Sequence, residues 1–314
     1  SPCISCIALH ANLNSKQTRL CFRESSHDSA DLLPIFNLNL TVAVVLLKDQ
    51  CLFGLFVRII RLPGIHHDAN AVIFAGSTSA ALVDSGTTWY QMLQTERIAG
   101  HIEGVVELER ILLTSRRFPF SGAAKHIADL RGGIPIHIHR EGISAMQTGD
   151  FFTTWANRYD SDMPSTECLE VSNGESFDLG DGSVTAIELL GHSSDGMGYF
   201  EAEREVLVSG AVLPRADSPS RWDLPGGCLP DLVSSLEIIS DLAPKSIVPA
   251  RGPTIKGREH IDDVLNRHLE FFETAIENDG SSPSSWPRPA RTAYFLTPSE
   301  PWPLEEKEDS SQNK

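Results

Sequence analysis

Two successive stretches of the chain alternate short β-branched runs with longer amphipathic segments, and this repeated rhythm restricts the accessible folds more than any other feature. In the first stretch, 55–62, 71–75 and 79–83 read as consecutive strands parted by Pro-Gly and Gly-Ser turns, with Asp84-Ser85-Gly86 closing the third. A helix over 88–99, a strand over 105–113, a helix over 122–131 and a strand over 134–139 follow. The second stretch places strands at 176–179, 183–190, 197–201 and 205–209, a helix at 231–241, a strand at 246–249 and a long closing helix at 260–277. Strands that recur with helices between them need those helices over their sheet faces. Two such halves predict an α/β protein built as a four-layer αββα sandwich.

The ends differ in composition from this middle. Residues 1–50 are rich in Ser and Asn without a sustained period, which predicts a poorly ordered segment. Within it the apolar run Leu40 to Leu47 is too short to span a bilayer, and reads as a buried strand or hairpin or as part of a processed leader. Residues 281–314 are Pro-rich and acidic, which predicts a disordered tail and leaves 51–280 as the folded domain. Six scattered cysteines do not make a disulfide framework, so a reducing, cytoplasmic setting is expected. Cys3 and Cys6 form a CxxC, but the second matched pair that a zinc ribbon needs is missing. A net charge of −16 disfavours nucleic acid and anionic membrane as partners, and leaves open homo- or hetero-oligomers.

Sites in layered α/β proteins gather where strands end in loops. Here those ends carry Ala81-Leu82-Val83-Asp84-Ser85-Gly86, then 113–122 with Thr114-Ser115-Arg116-Arg117-Phe118-Pro119-Phe120, then Gly191-His192-Ser193-Ser194-Asp195-Gly196, Ser209-Gly210-Ala211 and Pro249-Ala250-Arg251-Gly252. In this order they resemble the motifs of the metallo-β-lactamase-fold hydrolases, with a layout similar to the glyoxalase-II-like branch, from about Leu55 to Ile276. The resemblance implies the four-layer sandwich and a site built from these loops.

The same resemblance implies a dinuclear metal site held by seven ligands, and six of those positions here are Ser115, Arg117, Pro119, Phe120, Ala211 and Arg251, with His192 the one match. Arginine does not deprotonate to serve as a ligand, and Pro and Phe offer no side-chain donor. No zinc or other cofactor is therefore expected. Arg117, Arg251 and His192, with His139 at the edge, would instead suit an anionic small molecule through the planar guanidinium fork. Alternatively, either arginine points to solvent or pairs with Asp84 or Asp195. A second possibility is a hydrolase that is metal-free or uses a displaced single metal. Ser115 and His192 are then the candidate catalytic pair, with Asp195 or Asp84 as orienter, or else His192, His137 or His139 serves a displaced metal. Trp155, Tyr159, Trp222 and the Pro225-Gly226-Gly227 loop fall where the resemblance implies the rim of the substrate groove. His66 and His67 carry no spacing signal.

Overall fold

The computed structural model describes residues 56–281, within the second of two units, Ser1–Leu52 and Phe53–Lys314, into which the chain divides. The expectations for the CxxC, the run Leu40 to Leu47 and the Pro-rich tail beyond 281 lie outside the described residues. β1 (Arg58–Leu62), β2 (Ala71–Ala75) and β3 (Ala80–Val83) form an antiparallel meander. A 3-10 turn (Thr88–Tyr90) and α1 (Gln91–Ile102) return the chain to β4 (Leu108–Leu112), parallel to β3. The short α2 (Phe118–Ser121) and α3 (Ala124–Leu130) lead to β5 (Ile136–His139), α4 (Arg140–Thr148) and β6 (Leu169–Val171), and β4, β5 and β6 run parallel.

The second sheet collects β7 (Ser176–Asp178), β8 (Ser183–Glu188), β9 (Met197–Glu201) and β10 (Val206–Val208), then β11 (Ser246–Val248) and β12 (Ile255–Lys256). It is antiparallel apart from β10 and β11, which are parallel and joined through α5 (Leu229–Leu242). α6 (Arg258–Glu277) follows. Among the described residues no helix is long and apolar enough to cross a membrane.

Alternation along single strands sets the layers. Ala71, Ile73 and Ala75 pack with Ile98 and Ile102 of α1, Ile127 of α3 and Met146 of α4, whereas Val72 and Phe74 meet Val184, Ala186, Met197 and Tyr199 of the other sheet. One step along β10 does the same, sending Leu207 toward Leu232 and Leu236 of α5 and Phe272 of α6, and Val208 into the layer between the sheets. The buried face of α6 runs Ile261, Val264, Leu265, His268, Phe271, Phe272 and Ala275, the three- and four-residue steps of one helical stripe. The observed architecture is thus the predicted αββα sandwich.

α2, α4, β6 and β12 escape the sequence pattern. Gly142 in the first turn of α4 argues against a helix, yet a Cβ there would meet Ile138 at 2.5 Å and the Asp195 carboxylate at 3.0 Å. Glycine lets this helix settle on β5 and on the loop after β8. β6 is only three residues long, too short for a period to register.

Candidate functional site

Asp84, at the end of β3 with φ of 58°, fixes the loop that leaves β4. Its Oδ1 accepts from the Thr114 amide and its Oδ2 from Thr114 Oγ1, both at 2.8 Å, and the Thr114 carbonyl in turn accepts from Met197 of the second sheet at 2.9 Å. Burial pushes the Asp84 carboxyl up to about 8 against those two hydrogen bonds. Because the folded-state value lies above the unfolded one, the stability attached to this group falls as pH rises from the carboxylate range toward 8. Asp84→Asn keeps an acceptor for the amide and can turn a donor to Thr114 Oγ1. In urea it is expected to gain on the parent as pH rises from the carboxylate range toward 8, and to be the more stable of the two above pH 8.

The next residues along this loop stand at the expected ligand positions. Ser115 Oγ is buried 3.3 Å from Ser193 Oγ and accepts from the Arg117 amide at 3.2 Å. The Arg117 side chain is 0% exposed; Nη1 donates to the Thr153 carbonyl at 2.5 Å and Nη2 to the Pro225 carbonyl at 2.6 Å. Its guanidinium carbon lies 5.7 Å from the Trp155 ring centroid, and burial together with the charge of Arg116 lowers its pKa to about 10. The Pro119 carbonyl accepts from Ala69, and Phe120 packs with Ala69, Ala211 and Ala250 into a small apolar cluster. Two of the expected ligand positions, 120 and 211, thus meet as hydrocarbon.

Arg251 is half-buried in a turn that Asn70 holds, through donation from Nδ2 to the carbonyls of Pro249 at 2.8 Å and Gly252 at 3.0 Å. Its charge acts on Tyr159, Asp68 and His67. Burial raises Asp68 to about 6 and lowers His67, whose ring lies 5.8 Å edge-on from that of Tyr159.

His192 is 6% exposed, with Nδ1 at 3.2 Å from both Ser220 Oγ and the Arg221 carbonyl and with Nε2 buried without a partner. Burial, then the charges of Arg117 and Arg221, hold its pKa down to about 3. The structure therefore gives His192 to Ser220 and Ser115 to Ser193, and does not hydrogen-bond them to each other. Asp195 is taken by Arg116, whose amide donates to Oδ2 at 2.5 Å and whose Nη1 lies 3.2 Å from Oδ1. Neither Asp195 nor Asp84 pairs directly with Arg117 or Arg251. His139 Nε2 meets Glu188 at 3.1 Å while its Nδ1 accepts from the Glu141 amide, and His137 lies edge-on to Phe177 at 5.1 Å.

Sequence reasoning missed three contributors. Arg221 grips Asp223 through Nε at 2.7 Å and through Nη2, and its guanidinium carbon lies 5.0 Å from the same Trp155 ring that Arg117 faces. Arg116 joins them around His192. Ser220 sets the His192 ring by donating to the Ala211 carbonyl at 2.8 Å while accepting from Nδ1. The Arg-x-Asp spacing of 221 and 223 was the available signal for the first; the backbone at Trp155, with φ of 66°, left none.

No family model matches the chain. An uncharacterized protein of Aquifex aeolicus (strain VF5) is 32% identical over 81 residues, which is 26% of this chain and 38% of that protein's length. Among solved structures, the B3 metallo-β-lactamase BLEG-1 is similar at a TM-score of 0.55 and 21% identity, over 67% of this chain and 97% of that one. A metallo-β-lactamase family protein of Thermus thermophilus is similar at a TM-score of 0.55 and 18% identity, over 71% and 82% of the two chains. The residues present here do not fit a dinuclear metal centre. Two of the positions are guanidinium groups, two have joined an apolar cluster, and the remaining imidazole is surrounded by cations. Among the described residues no three His, Cys, Asp or Glu side chains stand together as a metal-holding group. What this chain shares with those proteins is its sandwich of two facing sheets under helical layers: it has the metallo-β-lactamase fold.

Proposed function

We propose that the chain uses this fold without the metal centre, as a pseudoenzyme that binds a small anionic molecule at the arginines around His192. Three buried donors with no protein acceptor, Arg116 Nε, Arg117 Nε and Arg221 Nη1, carry the proposal. Such atoms are costly to leave unpaired, and an oxyanion would supply their acceptors. Charge points the same way. Arg116 is matched by Asp195 and Arg221 by Asp223, whereas the Arg117 guanidinium meets carbonyl oxygens, leaving one positive charge in excess.

The purified protein is expected to hold well below one zinc ion per chain by elemental analysis, and its melting temperature should not move with chelator. Close to two tightly held zinc ions would overturn the proposal. Inorganic phosphate should raise the melting temperature, less so as ionic strength rises. Arg221→Ala should weaken that binding by about 1.5–3 kcal/mol, and lysine should not restore it, because one ammonium cannot hold Asp223 as the Nε and Nη2 pair does and still present a fixed donor in the place of Nη1. Equal, weak responses in wild type and variants would leave a scaffold role alone. Chelator-insensitive turnover of thioesters or phosphoesters would favour a metal-free hydrolase instead.

A further inference from the structure

The imidazole acceptor that accompanies the donors around His192 is identified by the hydrogen bonds of the ring. A carbonyl oxygen can only accept, so the contact of Nδ1 with the Arg221 carbonyl at 3.2 Å requires a proton on Nδ1. Ser220 commits its own hydroxyl proton to the Ala211 carbonyl at 2.8 Å, and so accepts from Nδ1 as well. The neutral ring then carries its lone pair on Nε2, buried and unpartnered, among the guanidinium groups of Arg116, Arg117 and Arg221. A fully deprotonated oxyanion placed there would satisfy the arginines but set its lone pairs against that of Nε2.

The geometry points to a ligand that is an oxyanion bearing its own proton, of the phosphate monoester monoanion type with dihydrogen phosphate as its inorganic counterpart, one O–H donating to His192 Nε2 and the unprotonated oxygens accepting from the arginines. This rests on the anion-binding proposal and narrows it. Three donor atoms, the Nε2 acceptor and one excess positive charge match a protonated monoanion in hydrogen bonds and in charge, and Asp195 Oδ1, beside Arg116, is a second buried acceptor without a hydrogen bond. Sulfate, with the same shape and no proton at neutral pH, matches the donors and fails at the acceptor.

The test is calorimetric titration of the full chain with inorganic phosphate and with sulfate at one pH near 6.5 and matched ionic strength. Phosphate is expected to bind at least ~10-fold more tightly, the scale of leaving one buried polar group unpaired. His192→Leu, which removes the acceptor, should bring the two affinities to within about 2-fold. Nitrogen-15 spectra of the wild-type imidazole give a readout that does not depend on that variant folding, and are expected to show protonated Nδ1 and bare Nε2. A proton on Nε2, or equal binding of the two anions by wild type, would overturn this inference and leave anion binding standing. Binding of neither anion would overturn both.

Discussion

Arg117→Ala is expected to lower the unfolding free energy by about 3–5 kcal/mol, read as a shift of the urea midpoint without a change in slope. The side chain does three things that alanine abandons. It satisfies the Thr153 carbonyl, it satisfies the Pro225 carbonyl 72 positions further along, and its guanidinium lies against Trp155. The first two contacts join the loop after α4 to the loop before α5, so their loss releases two segments that no strand pairing secures. Charge-assisted hydrogen bonds of this kind each contribute roughly 1.5–3 kcal/mol, and the vacated volume adds a packing loss. Arg117→Lys should recover less than half of the deficit, since one ammonium cannot reach both carbonyls in the fork geometry. A midpoint unchanged by Arg117→Ala would mean that the loops are held by other contacts.

That contact also marks the limit of what sequence carries. The layers were legible because burial in a strand alternates with period two, so Ala71, Ile73 and Ala75 part from Val72 and Phe74 whatever lies above them. The loops at the strand ends were legible only as positions. The resemblance of their motifs singled out Ser115, Arg117, His192 and Arg251, and all four lie on loops tied together by hydrogen bonds. Which group each one meets was not legible. Asp195 could have gone to either neighbouring arginine, and it went to Arg116 because the Arg116 amide also donates to it. Trp155 faces both Arg117 and Arg221 from a left-handed backbone, a conformation that no residue pattern announces for tryptophan. Asn70 was invisible for a different reason. Its role is to hold the turn of a residue 181 positions away, and side-chain to backbone contacts at that range leave no local period.

Two buried imidazoles should take stability from the folded protein as pH falls, a loss that replacing both by glutamine should abolish. His192 has a folded-state pKa of about 3, set by burial and then by Arg117 and Arg221, and His268, buried in the core stripe of α6, is lowered to about 4 chiefly by burial. Both values lie below the unfolded value near 6.5, so the folded chain binds fewer protons than the unfolded one as pH falls. The stability attached to these groups is present above pH ~6.5 and is lost progressively toward the folded values. At about 1.4 kcal/mol per pKa unit, His192 contributes roughly 4–5 kcal/mol and His268 roughly 3, which together rival the whole stability of a small domain. Asp84 and Asp68, raised to about 8 and about 6, work in the opposite sense over the same range and by a comparable amount, since their raised pKa values make the folded state the tighter proton binder. Urea unfolding of the parent at pH 7, 5.5 and 4 should therefore show the two contributions largely offsetting each other. His192→Gln and His268→Gln, which cannot gain a charge, should remove the imidazole loss, so that the double variant gains on the parent as pH falls even where it is less stable at pH 7. Parallel pH profiles for wild type and the double variant would exclude the imidazoles as a source of pH dependence.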